Sequence, residues 1–259
     1  MKGIYTALIT PFKQNGKVDY ANFVWLINYQ NESSVDGIVL FGSTGEEKML
    51  TTCEKIKLLR IACDVVKNKE IYVGISEINT KNAIFEIKKY ENFNINGFLI
   101  SPPFYVKPNQ EQIYKFYSEI AKSTDKNICL YNIPSRTGAF ISVSTVLKLA
   151  ENNNIVALKD ATGDLNYAKE INKWKKPGFS VLCGNDNLFF KMKRLGSDGG
   201  VCVFSNFLPN FFQQGSNYVQ NKEILRLFHR VNGLPNPAGI KKIMFEHSLI
   251  QNVLRPPLC

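Results

Sequence analysis

The chain alternates between two hydrophobic patterns. Short runs that are apolar at nearly every position fall at residues 4–10 (IYTALIT), 37–41 (GIVLF), 71–74, 97–100 (GFLI), 128–131 (ICLY), 155–159 (IVALK), 179–183 and 200–203. A continuous apolar run of this length is what a parallel strand buried on both faces requires. Between the runs lie segments with apolar residues three and four apart: 19–29, 52–66, 80–90, 110–121, 142–150, 164–171 and 187–195. That spacing predicts helices with one buried stripe, and Asp19 and Asp164 stand where N-caps belong.

Strict strand–helix alternation implies parallel strands joined by right-handed crossovers. Eight such units close naturally into a TIM (β/α)8 barrel. An open doubly wound sheet is the competitor, but the first strand leads into TPF at residues 10–12 and no GxGxxG follows it, so a dinucleotide fold loses support. The expected organisation is a barrel domain over residues 1–206. A shortened C-terminal helical extension follows over 207–259.

Length and charge narrow the picture. A chain of 259 residues with a formal charge of +10 can bury a barrel-sized core. Lys55, Lys57, Lys67, Lys69, Lys81, Lys88, Lys89, Lys173, Lys175 and Lys176 alternate with apolar residues. They read as solvated helix faces and not as a nucleic-acid patch. The six cysteines have no CxxC and no regular spacing, and the two histidines stand apart from any cluster. Reduced cysteines, no metal site and no cofactor are expected. No apolar run reaches membrane-spanning length and Met1 opens into a strand-like segment, so a cytoplasmic protein is expected.

The unusual polar residues fall where barrel strands end, which is where barrel enzymes keep their chemistry. Lys159 closes the apolar run IVAL. Taken alone, a strand-end lysine more often snorkels to water. In a dry interior it loses hydration, which disfavours its charged form and frees an amine for Schiff-base chemistry with a carbonyl compound. GSTGEE at 42–47 offers Ser43, Thr44 and the N–H groups of a turn, a set suited to a carboxylate. Tyr105 and Lys107 follow the fourth strand. Tyr131 ends the fifth, and Arg136 follows it with a guanidinium able to grip a second carboxylate. A lysine, two tyrosines, two hydroxyls and an arginine form one coherent set. The amine would bind a keto acid, a tyrosine coupled to a threonine would move protons, and the arginine would hold a second substrate.

GSTGE (42–46), YNIPSRTG (131–138) and ALKDATGD (157–164) resemble, in order and spacing, the pyruvate-dependent Schiff-base aldolase family that includes dihydrodipicolinate synthase and N-acetylneuraminate lyase. The resemblance runs from about residue 3 to 206. It implies that Lys159 forms the Schiff base and that Tyr131 transfers protons, linked through Thr44 to Tyr105. It further implies that Ser43 and Thr44 hold the pyruvate carboxylate and that the Val201 carbonyl lies near the keto acid. The family tyrosine matching Tyr105 reaches into a neighbouring subunit, which implies at least a homodimer, with a homotetramer possible. Arg136 matches the arginine that binds aspartate semialdehyde. The implied reaction therefore condenses pyruvate with L-aspartate 4-semialdehyde, in lysine and diaminopimelate synthesis. GSTGE is spelled as in the sialic-acid lyases, which keeps an N-acetylneuraminate lyase or another keto-acid aldolase of the family as the alternative. A non-catalytic family barrel is the second.

Two departures from the family pattern carry expectations. The positions around the family's lysine-inhibition pocket hold Lys48, Thr52, Lys55, Ile78, Asn82 and Phe104. Two lysines would repel a cation, so feedback by lysine is expected to be weak or absent. The tail is short around 215–236 and after Pro257, although NPAGIKK (236–242) resembles the family's NPxPxK. Loss of tail helices puts tetramer formation in question.

Overall fold

The computed structural model describes residues 1–214 and 221–258. Its eight strands follow one another in chain order around a closed parallel barrel. They are β1 (Gly3–Ala7), β2 (Gly37–Leu40), β3 (Glu70–Ile75), β4 (Gly97–Ile100), β5 (Asn127–Asn132), β6 (Ile155–Asp160), β7 (Ser180–Cys183) and β8 (Gly199–Cys202). All the expected strands are present, each within a few residues of its expected bounds. β1 stops at Ala7 and not at residue 10. Leu8 N–H still donates to Val39, but Ile9 N–H is taken by the Asn206 side chain at 3.0 Å, which ends the pairing.

The chain forms two compact units. One contains Met1–Gly3 and Tyr72–Val201; the other contains Ile4–Ile71 and Cys202–Cys259. In the first, Tyr72 pairs with Gly97, Ile100 with Leu130, Tyr131 with Lys159, and Lys159 with Leu182. The helices Thr80–Tyr90, Gln110–Ser123, Val143–Leu149 and Leu165–Trp174 follow successive strands. Each has a side-chain N-cap, from Asn79, Asn109, Ser142 and Asp164. Such a cap contributes about 1 kcal/mol. A short helix, Pro134–Thr137, occupies a stretch expected to be loop. Proline at its first position supplies the fixed φ that favours a helix start.

In the second unit, β1 and β2 pair from Tyr5↔Gly37 to Ala7↔Val39. The helix Tyr20–Asn31 is capped by Asp19, and Thr52–Val65 by a Thr51–Glu54 capping box. The extension supplies the helices Lys222–Asn232 and Ala238–Glu246. Phe204, Phe211 and Phe228 form a buried ring cluster, with centroids 5.0 to 5.2 Å apart. Residues 215–220, part of the stretch expected to be trimmed, and Cys259 lie outside the described residues.

Lysine placement differs from expectation at Lys55. It is buried and its ammonium lies 2.9 Å from the buried Glu47 carboxylate. Its helical spacing was right, but a carboxylate eight residues earlier turns the charge inward. Cys129, Cys183 and Cys202 are buried, whereas Cys53 is exposed. Burial pushes the Cys129 and Cys183 thiols up to about 12, so they act as small apolar residues. No helix among the described residues is long and apolar enough to cross a membrane. No metal-binding group of His, Cys, Asp or Glu occurs among them.

Candidate active site

Lys159 is the penultimate residue of β6, and Tyr131 is its register neighbour on β5. Both are buried, and the Lys159 Nζ lies 4.2 Å from the centre of the Tyr131 ring. The strand pair therefore presents a lysine amine and a phenol side by side. Gly184, just after β7, borders the same amine. A Cβ there would lie 3.0 Å from Lys159 Cε, 2.9 Å from the Ala161 Cβ and 3.0 Å from the Asp160 carbonyl. The sequence GND (184–186) follows β7, but nothing in that motif shows that the missing side chain makes room for the lysine. Asp160 follows Lys159 as the last residue of β6. Its carboxylate accepts the Thr162 N–H at 2.9 Å and the Thr162 hydroxyl at 2.7 Å, and burial raises its pKa.

Arg136 is exposed, on the Pro134–Thr137 helix. Asn132, fully buried, ties down the loop that follows it. Its Nδ2 donates to the Ile141 carbonyl and to the Tyr167 hydroxyl, both at 2.9 Å, and its Oδ1 accepts the Ile141 N–H at 3.0 Å. The Thr137 hydroxyl has its one proton within 3.0 Å reach of two acceptors, the Ile133 and Ala139 carbonyls, and Gly138 closes the helix at φ 68°. A left-handed residue at that place suits glycine. Sequence reading singled out Arg136 and passed over Asn132. An asparagine next to a strand-end tyrosine gives no sign that its amide will bridge to residue 141.

Tyr105 lies in the loop after β4, in the left-handed region at φ 71° and with 84% of its surface exposed. Its N–H donates to the Thr137 carbonyl at 3.3 Å, so its backbone is joined to the loop that carries Arg136. Val201 is buried in β8.

Ser43 and Thr44 lie in the other unit, on a 3₁₀ turn (Ser43–Gly45) directly after β2. Ser43 is half-buried and Thr44 buried. The turn is held by Thr10, whose hydroxyl donates to the Gly45 carbonyl at 2.7 Å. The Thr44 hydroxyl accepts the Asn236 amide at 2.9 Å. Phe41 and Glu46, flanking the turn, both adopt left-handed backbone at φ 56° and 54°. For residues with a Cβ this costs on the order of 1 kcal/mol each and persists only when the surroundings enforce it.

The nearby ion pairs are a further feature of this unit. Lys241, fully buried, lies 2.5 Å from the equally buried Glu46 carboxylate. Burial pulls the Lys241 ammonium down to about 8, while Glu46 opposes that fall. Arg255 pairs with Glu54 through both guanidinium ends, at 2.8 and 2.5 Å. That contact holds the Glu54 carboxyl at about 2. NPAGIKK was read from the sequence as a family-like segment, without a role for its first lysine.

The model of the dihydrodipicolinate synthetase family matches residues 1–259 of the chain. The 4-hydroxy-tetrahydrodipicolinate synthase of Phocaeicola vulgatus is 34% identical over an alignment covering 100% of this chain and 91% of that protein. Among solved structures, the 4-hydroxy-tetrahydrodipicolinate synthase of Methylacidiphilum fumariolicum SolV superposes with a TM-score of 0.92 at 34% identity, covering 100% of this chain and 90% of that one. A structure described as the first monomeric dihydrodipicolinate synthase variant gives 0.93 at 30% identity, covering 100% and 91%. The lysine on β6, the tyrosine beside it and the hydroxyl turn after β2 thus stand in a chain similar over its full length to these proteins, and the chain belongs to the dihydrodipicolinate synthetase family.

Proposed function

We propose that this protein is a 4-hydroxy-tetrahydrodipicolinate synthase, a lyase that condenses pyruvate with L-aspartate 4-semialdehyde in the cytoplasm. The observation that carries the reading is the buried Lys159 amine 4.2 Å from the Tyr131 ring. The amine adds to the ketone of pyruvate and water leaves, giving an imine. Loss of a proton from the pyruvate methyl gives an enamine. The enamine carbon attacks the aldehyde, and the resulting alkoxide takes a proton. The amino group of the second substrate then attacks the imine carbon, closes the ring and releases Lys159. No cofactor is required, because the imine itself is the electron sink.

Tyr131 is assigned the proton transfers, with Thr44 and Tyr105 as its relay. The hydroxyls of Ser43 and Thr44 are assigned to the pyruvate carboxylate, and the Val201 carbonyl to its surroundings. Arg136 is assigned the carboxylate of the aldehyde, as its exposed, planar, bidentate donor set suits. The exposure of Tyr105 supports a homodimer at least, in which this side chain serves the neighbouring subunit; a homotetramer is compatible with it. Residues 1–206 are assigned the chemistry and 207–259 a supporting role.

The sialic-acid spelling of GSTGE favours one second reading, cleavage of N-acetylneuraminate. A substrate panel separates the two. Consumption of pyruvate with aspartate semialdehyde, and no release of pyruvate from N-acetylneuraminate, is the expected result. Cleavage of the sugar acid without condensation would sink the assignment.

A further inference from the structure

We propose that the C-terminal segment supplies positioning residues for this reaction: Asn236 directs the Thr44 hydroxyl proton, and Lys241 with Arg255 fixes the turn that carries Ser43 and Thr44. The inference rests on the function proposed above.

The turn needs an external hold. Two residues with side chains, Phe41 and Glu46, sit in left-handed backbone on either side of it. The hold comes from the tail, through the Glu46 carboxylate. One oxygen takes the Lys241 ammonium at 2.5 Å, and the other takes the Arg255 N–H at 3.0 Å. Lys241 also donates to the Val253 carbonyl at 2.9 Å and lies 4.2 Å above the Phe12 ring. The Arg255 guanidinium donates to the Met49 carbonyl at 2.7 Å and the Gly16 carbonyl at 3.0 Å. The end of the loop after β2 is therefore bonded to the tail through a buried carboxylate and a backbone carbonyl.

Asn236 acts on the functional hydroxyl itself. Its Nδ2 can only donate, so at 2.9 Å the Thr44 oxygen is the acceptor. A threonine hydroxyl has a single proton. With one lone pair taken by Asn236, that proton is turned away from the amide and remains available to donate. A threonine that donates is what the proposed relay and the proposed carboxylate contact both use. Asn236 touches neither substrate in this account; it acts through Thr44.

The test compares Asn236→Ala, Asn236→Asp and Lys241→Met with the wild type, using borohydride trapping of pyruvate, steady-state kinetics and thermal melts. Asparagine to aspartate keeps the shape and the acceptor but removes the donor. Both Asn236 variants are expected to lose about tenfold in kcat/KM for pyruvate, with a matching fall in trapping rate and no matching fall in melting temperature. Lys241→Met is expected to lose pyruvate turnover together with stability; if it fails to fold, the Asn236 pair decides the matter alone. Wild-type trapping rates in both Asn236 variants would overturn the proposal. So would full activity in Asn236→Asp alongside loss in Asn236→Ala, because Thr44 would then be donating to residue 236. A wild type that traps no pyruvate would instead defeat the functional reading, and this inference with it.

Discussion

At the scale of single residues, the environment of Lys159 explains more than its identity does. The buried amine has a ring at 4.2 Å, and Gly184, by lacking a side chain, leaves the stem of Lys159 its place. Added at 184, a methyl would lie 3.0 Å from Lys159 Cε and 3.0 Å from a backbone oxygen, so something must shift. Gly184→Ala is expected to lower kcat by about tenfold or more, since an error near 1 Å at a reacting group is costly. A melting curve close to wild type would show that the loss is local. Wild-type kcat in that variant would contradict this role. Under the proposed function Arg136 is assigned to the second substrate. Arg136→Ala is expected to raise KM for aspartate semialdehyde by roughly tenfold to a hundredfold, the loss of a charge-assisted bidentate contact. The rate of pyruvate trapping should be unchanged; a parallel loss in trapping would move Arg136 to the first half-reaction. Lys159, Tyr131, Ser43, Thr44 and Arg136 stand out in the sequence as candidates because each is polar at or soon after the end of an apolar run. Gly184 and Asn132 do not, because their work is a missing side chain and a bond across the loop to residue 141.

At the scale of elements, periodicity identified the strands and most helices because each hides one face. The Pro134–Thr137 helix escaped because four residues are too few to show a period. Lys241 escaped for a different reason. It stands beside Lys242 in Ala238–Glu246, and only its place three residues before the buried Met244 separates the two. Its partner Glu46 is 195 positions away, beyond any local pattern. The Glu54–Arg255 pair gives the element-scale prediction. The folded carboxyl is held down at about 2, against an ordinary value of 4.5, chiefly by its bonds to Arg255. An acid held down in this way stabilises the fold above pH 4.5, and that contribution is lost as pH falls from 4.5 through 2. Partly open to water, the pair contributes about 1 kcal/mol. Glu54→Gln is therefore expected to melt lower at pH 7 and to lose less on acidification than the wild type. Equal acid sensitivity in the two proteins would show that the pair contributes nothing.

At the scale of the whole molecule, alternation and strand count led to the closed barrel, since eight parallel strands with covering helices have few other closures. What a partner chain contributes is not written in such a pattern. If, as proposed, the exposed Tyr105 side chain serves a neighbouring subunit, activity per chain is expected to fall on dilution. Constant specific activity in a sedimenting monomer would contradict the shared site. Regulation is also a property of this scale. Lys48 and Lys55 both pair with Glu47, at 3.4 and 2.9 Å, so ammonium groups stand at two of the positions expected to weaken feedback. A change in rate of less than about twofold at millimolar lysine is expected, because a cationic ligand would meet a like charge there. Strong inhibition would show that other groups bind it.

The proposed function turns on Lys159 as the nucleophile. Borohydride reduction in the presence of pyruvate, followed by peptide mass spectrometry, tests it most directly. A reduced pyruvate adduct is expected on the peptide containing Lys159, absent without pyruvate and absent in Lys159→Arg. An adduct on another lysine, or none in an enzyme that still condenses its substrates, would contradict it.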